Sequence, residues 1–241
     1  MNSPLPDSEV SRALVVAAHP DDVDFGAAGT VATWTDAGIA VTYCVVTDGQ
    51  AGGFDREAPR DEMVAVRRAE QQDAAARVGV DDVRFLGHMD GELEPTRELV
   101  GQLARLIREV RPQRTVIPSP ERDYAQIRRS HPDHLAAGKA ALDAVYPAAR
   151  NPFAHPELLE EGLEPWVVPD TWLMAHPSSN HAVDVTATYE RKLAAILAHR
   201  SQHEHPESLV AALREAFGAN AREAGFGEGR QAEAFFVLQT A

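Results

Sequence analysis

Residues 13–18 form a short apolar run with adjacent valines, followed at once by His19, Pro20 and Asp21. A run too short for a helix and closed by a polar turn predicts a buried strand. Residues 26–37 then predict a helix, stopped at Gly38, and residues 41–46 a second strand. The glycine-rich polar stretch 47–59 is too long for a simple turn and predicts a functional loop. Residues 63–78 carry Val66, Ala69, Ala74 and Val78 at roughly helical spacing before Gly79. A strand at 83–86, a helix at 96–110 with the stripe Leu99, Leu103, Leu106 and Val110, and a strand at 115–117 follow. Strict alternation of strands and helices predicts an α/β sandwich around a mostly parallel sheet.

Beyond that point the periodicity predicts a helix over 135–146, strands over 171–175 and 182–185, an amphipathic helix over 187–198, a helix over 208–217 and an apolar end at 235–238. The proline-rich stretch 147–169 reads as a surface segment, a lid or an oligomer contact. His199, His203 and His205 lie in a polar stretch that suits either a metal tract or solvated histidines at a helix end. The 241 residues suffice for one good core, so the expectation is a single domain over 1–241.

Composition narrows the function classes. With 44% hydrophobic and 25% charged residues the chain matches soluble globular domains. Its 37 acidic and 23 basic residues leave a net charge of −14, which repels phosphate backbones and anionic membranes. The nearest basic run, from Arg122 to Arg129, is broken by Asp123, so neither nucleic acid nor membrane is an expected partner. Cys44 has no second cysteine to pair with and reads as a packed core residue. Residues 1–12 lack an apolar core and no run approaches the about 20 residues of a membrane span, so a cytoplasmic protein is expected.

The chemistry concentrates in two places. His19, Pro20, Asp21 and Asp22 follow the first predicted strand; Ser130, His131, Pro132, Asp133 and His134 follow the fourth. In open α/β sheets ligands bind outside the carboxyl ends of the strands, so both clusters belong on one rim. A catalytic zinc takes three ligands from histidines and a carboxylate and leaves a fourth position for water, a set these clusters can supply. Taken singly, each cluster is also ordinary turn and helix-cap chemistry.

With these residues the sequence resembles the LmbE-like, or PIG-L, de-N-acetylases, marked by an Ala-His-Pro-Asp-Asp turn and a later His-x-x-His. The resemblance extends through Gly26, Gly29, residues 47–52, the helix from Arg67 to Gly79, Asp90 with Gly91, and residues 199–202. It covers about the first 145 residues well and the rest loosely. It implies a Rossmann-like three-layer sandwich and an enzyme that hydrolyses the N-acetyl amide of an N-acetylglucosamine-containing small molecule. It further implies one zinc per chain on His19, Asp22 and His134, with Asp21 as general base. His131 would aid the oxyanion and the departing amine, with Asp133 orienting it and raising its pKa. Family members assemble variously, so a homo-oligomer is a possible partner state.

Arg67 and Asp90 lie on elements that approach the sugar in the family, and either serves as well in a structural ion pair. Asp48 reads equally as turn chemistry. Two departures bear on substrate. Gln50 stands where many relatives carry glutamate, and Arg129 stands where thiol-cofactor deacetylases carry a tyrosine, a place where Arg129 or a swung-in Tyr124 would stabilise the oxyanion. The alternative inside the family is a mycothiol-S-conjugate amidase. The alternative outside it, a nucleotide-binding module using Gly26 and Gly29, lacks a Gly-x-Gly-x-x-Gly turn directly after the strand.

Overall fold

The computed structural model describes residues 4–241; residues 1–3, the start of the expected 1–241 domain, lie outside the described residues. Seven strands form one sheet: β1 (Arg12–Ala17), β2 (Ala40–Thr47), β3 (Asp82–His88), β4 (Arg114–Pro118), β5 (Asp170–Met174), β6 (His181–Asp184) and β7 (Ala232–Gln239). Their spatial order is β3-β2-β1-β4-β5-β7-β6. The first five pair in parallel, and β7 runs antiparallel to both β5 and β6.

The short apolar runs become central strands because both faces of the sheet are covered. On β1, Ala13, Val15 and Ala17 face one core, with residues of α2 (Ala28–Asp36) and α3 (Arg60–Arg77). Leu14 and Val16 face the other, against α4 (Arg97–Val110) and α5 (Pro132–Asp143). Cys44 is fully buried in this second core, as its neighbours suggested. The leucine stripe of α4 is buried, and Thr96 caps the helix by accepting the Leu99 N–H. Gly138 lets α5 lie close on the end of β4: a Cβ there would sit 2.3 Å from the Pro118 carbonyl oxygen.

The expected helix over 26–37 is α2, and a separate short helix, α1 (Asp22–Gly26), precedes it with a break at Ala27. The break is set from outside the segment. Lys192, on α7 (Tyr189–Ile196), donates to the Asp24 and Phe25 carbonyls at 2.8 and 2.7 Å and pairs at 2.6 Å with Glu233 of β7. Glu233 in turn accepts the Gly29 and Thr30 N–H groups at 2.9 and 2.8 Å. A buried carboxylate thus occupies the N-terminus of α2, where a nucleotide phosphate would have to bind.

The segment 147–169 is tied to the body of the fold. It includes α6 (Pro156–Glu160) and is hung on Arg108 of α4, which donates to the Ala148, Ala149, Asn151, Ala154 and Leu163 carbonyls. The last helix, α8 (Pro206–Glu223), extends beyond the expected 208–217. Among the described residues no helix is long and apolar enough to cross a membrane.

Candidate active site

β1 and β4 are neighbours in the sheet, while the chain leaves β1 for β2 on its other side, so the crevice between their carboxyl ends is the switch point of the topology. The turn after β1 brings His19, Asp21 and Asp22 to it. The loop after β4 brings Arg129, and the start of α5 brings His131, Asp133 and His134, with Pro132 favoured at the first helical position.

Asp22 joins the two clusters. Its Oδ1 lies 3.0 Å from His134 Nε2 and its Oδ2 lies 3.4 Å from His19 Nδ1. The opposite nitrogen of each ring is also engaged. His19 Nε2 faces Asp133 Oδ2 at 3.1 Å and Asp90 Oδ1 at 3.2 Å, and His134 Nδ1 faces the Arg129 carbonyl at 3.4 Å. Carboxylate or carbonyl partners on the second nitrogen are how metal-binding histidines are oriented.

Electrostatics favour positive charge here. Burial opposes a charged His19, yet Asp22, Asp133 and Asp90 push its pKa up to about 12. Burial also opposes the Asp22 carboxylate, yet His134 and His19 hold its pKa well below the usual range. His19, Asp22 and His134 offer ligand atoms within 4.8 Å of one another, as do His19, Asp90 and His131. Two imidazoles and a carboxylate are the donor set of a three-ligand catalytic zinc site, so the residues fit such a metal. The first trio joins the two clusters through Asp22, which lies within 3.4 Å of both imidazoles.

Asp21 adopts a left-handed conformation, φ 97°. For a residue with a Cβ this costs about 1–3 kcal/mol and persists only where the surroundings over-determine it. They do: Arg67 donates to Asp21 Oδ2 at 3.0 Å and to the Pro20 carbonyl, and Gln71 Oε1 accepts the Asp21 N–H at 2.8 Å. Burial pushes the Asp21 carboxyl up to about 6 against the pull of Arg67.

Arg67 takes the ion-pair role, one of the two expected for it, and the expected roles of Asp133 and His131 need correction. Arg67 does not reach toward a sugar: it is buried, bound to Asp21 and to the Pro20 and Gly49 carbonyls, and Gly49 is needed because a Cβ there would lie 2.7 Å from the guanidinium. Asp90 faces His19. Asp133 does not orient His131 through its carboxylate; that group binds His19 and the Gly91 N–H at 2.7 Å. His131 Nδ1 accepts the Asp133 backbone N–H at 3.2 Å, and burial together with His19 lowers its pKa instead of raising it.

Arg129 lines the cleft beside the site, whereas Tyr124 is 86% exposed and does not line it. Gln50 accepts the Asp90 N–H at 3.2 Å, and Asp48 forms an ion pair with Arg68. His199 is neither metal-tract nor solvated: it is fully buried and 2.8 Å from Asp24. Sequence reasoning missed Gln71 and Asp24, whose only signal was a polar residue on the inward face of an otherwise apolar helix contact.

The cleft has a volume of about 1370 Å³. Asp21, Asp22 and His134 line it with Arg129, and Phe25, Met174 and Phe217 supply an apolar wall.

Residues 14–145 match the protein family described as PIG-L, GlcNAc-PI de-N-acetylase. The chain is 34% identical over 197 residues to a diacetylchitobiose deacetylase of Thermococcus kodakarensis, covering 82% of this chain and 72% of that one. It is 33% identical over 198 residues to a probable N-acetyl-alpha-D-glucosaminyl L-malate deacetylase of Bacillus cereus, covering 79% and 83%. The crystal structure of the N,N'-diacetylchitobiose deacetylase from Pyrococcus horikoshii superposes with a TM-score of 0.90 at 30% identity, covering 98% of this chain and 86% of that one.

Proposed function

This chain belongs to the PIG-L family, and from that premise we propose that it is a metal-dependent de-N-acetylase of an N-acetylglucosamine-containing small molecule. The observation that carries this reading is the meeting of two His-Pro-Asp clusters at one crevice, with Asp22 within 3.4 Å of both His19 and His134. In this proposal the chain works as one LmbE-like domain and holds one zinc on those three residues.

A zinc held by His19, Asp22 and His134 would supply polarisation of the amide carbonyl and acidification of water. The protein groups supply the proton transfers and the charge. Asp21 takes the proton of the attacking water, and its raised pKa makes it a better base than an exposed aspartate. Arg67 keeps it ionised and aimed. Because His131 Nδ1 accepts an N–H, the neutral ring carries its proton on Nε2, which donates to the developing oxyanion. As the C–N bond breaks, Asp21 passes its proton to the departing amine; the products are acetate and a free 2-amino sugar. Arg129, lining the cleft, contacts the conjugated part of the substrate, and the cleft volume supports a substrate larger than a monosaccharide.

The test is release of amine and acetate from N-acetylglucosamine, N,N'-diacetylchitobiose and N-acetylglucosaminyl malate by zinc-loaded protein. We expect equimolar products from at least one, with a conjugate or disaccharide preferred to the monosaccharide. No release from any of them would overturn the reading.

A further inference from the structure

Behind the Asp21 turn, away from the cleft, lie three fully buried polar side chains: Asp24 of α1, Gln71 of α3 and His199, which follows α7. Gln71 Nε2 donates to Asp24 Oδ2 at 3.0 Å, and His199 Nε2 lies 2.8 Å from the same oxygen. Gln71 presents its other end to the site, accepting the Asp21 N–H at 2.8 Å. None of the three lines the cleft. They cannot touch substrate, but they are connected to the residue that reads as the base.

We propose that Gln71, fixed by Asp24 and His199, is a positioning residue that holds Asp21 in its left-handed conformation and so aims the carboxylate. Three features carry this. An amide has two different ends, and Asp24 accepts from the Gln71 nitrogen, so the carbonyl must point at Asp21. Arg67 lies four residues earlier on the same face of α3 and grips the Asp21 carboxylate and the preceding carbonyl. Asp21 is thereby held at its N–H, at its side chain and at the peptide before it. The anchor reaches across the fold: His199 comes from the far end of α7, and Glu70, beside Gln71, receives the Ser201 N–H at 2.8 Å and its hydroxyl at 2.7 Å. The late segment 199–202 thus braces a turn far from it in sequence.

The inference rests on Asp21 being the general base, and the test separates the two. In zinc-loaded protein, Gln71→Leu is expected to lower kcat by about 10²-fold, the effect of misplacing a catalytic group by about 1 Å, with KM and zinc content unchanged. Asp73→Asn, on the exposed face of the same helix and paired with Arg77, controls for general damage to α3 and should keep kcat. His199→Gln, which can still donate to Asp24, should keep most of kcat where His199→Leu loses it. In an Asp21→Asn background, Gln71→Leu should cost nothing further. A Gln71 effect of equal size with and without Asp21 would overturn the proposal, as would a Gln71→Leu loss confined to KM or zinc content. If Asp21→Asn itself keeps wild-type kcat, the general-base reading fails instead.

Discussion

Asp133 Oδ2 lies 3.1 Å from His19 Nε2, the ring nitrogen opposite the one that faces Asp22. The Gly91 N–H at 2.7 Å holds the same carboxylate, so a loop after β3 and the start of α5 jointly fix the His19 ring. The carboxylate is thereby tied to the metal-binding trio, and its neighbour His131 is left to accept a backbone N–H.

Asp133→Asn is accordingly expected to weaken zinc binding by about 10- to 100-fold, read by competition with a chelator of known affinity. Unchanged affinity with reduced turnover would restore Asp133 to the role of orienting His131.

The Lys192–Glu233 pair sets the break between α1 and α2, and both side chains are fully buried. Lys192→Met leaves the Glu233 charge uncompensated and is expected to cost about 3–5 kcal/mol in urea unfolding. A Lys192→Met, Glu233→Gln double variant should recover part of that loss. A single-variant cost below about 1 kcal/mol would show that the pair does not hold the break.

His181 packs edge-on against Trp172, ring centroids 4.8 Å apart, and burial together with Arg114 lowers its pKa below 6.5. The unfolded chain therefore binds a proton that the folded chain refuses. This contribution to stability is complete above pH 6.5 and is lost as the pH falls through the folded pKa. His181→Asn should lose less stability than wild type between a pH above 6.5 and one below it. Equal losses in the two proteins would remove His181 from the acid response.

Cys44 is fully buried, and burial pushes its thiol up to about 12. The native protein should not react with a thiol reagent at neutral pH, and unfolding should release one reactive thiol per chain. Rapid modification of folded protein would contradict the packing of β2.

The parallel strands were legible because both faces of the sheet are covered, which leaves continuous apolar runs such as 13–18 and 41–46. Both His-Pro-Asp clusters were legible because local spacing and strand-end placement suffice to find them. Partner choice was not. Arg67 could be given a sugar or a carboxylate, and only the approach of α3 to the Asp21 turn decides it. His199 read as part of a metal tract or as a solvated histidine because its partner, Asp24, lies far off in sequence. The 147–169 segment read as a surface segment, a lid or an oligomer contact, because nothing near it announces that Arg108 gathers its carbonyls.

The most direct test compares wild type with Asp21→Asn for zinc content and for amine release from N,N'-diacetylchitobiose or N-acetylglucosaminyl malate, whichever is hydrolysed. The account predicts about one zinc per chain in both proteins and a fall in kcat of about 10²- to 10⁴-fold in the variant. Full turnover by Asp21→Asn, or active wild type that carries no metal at His19, Asp22 and His134, would contradict it.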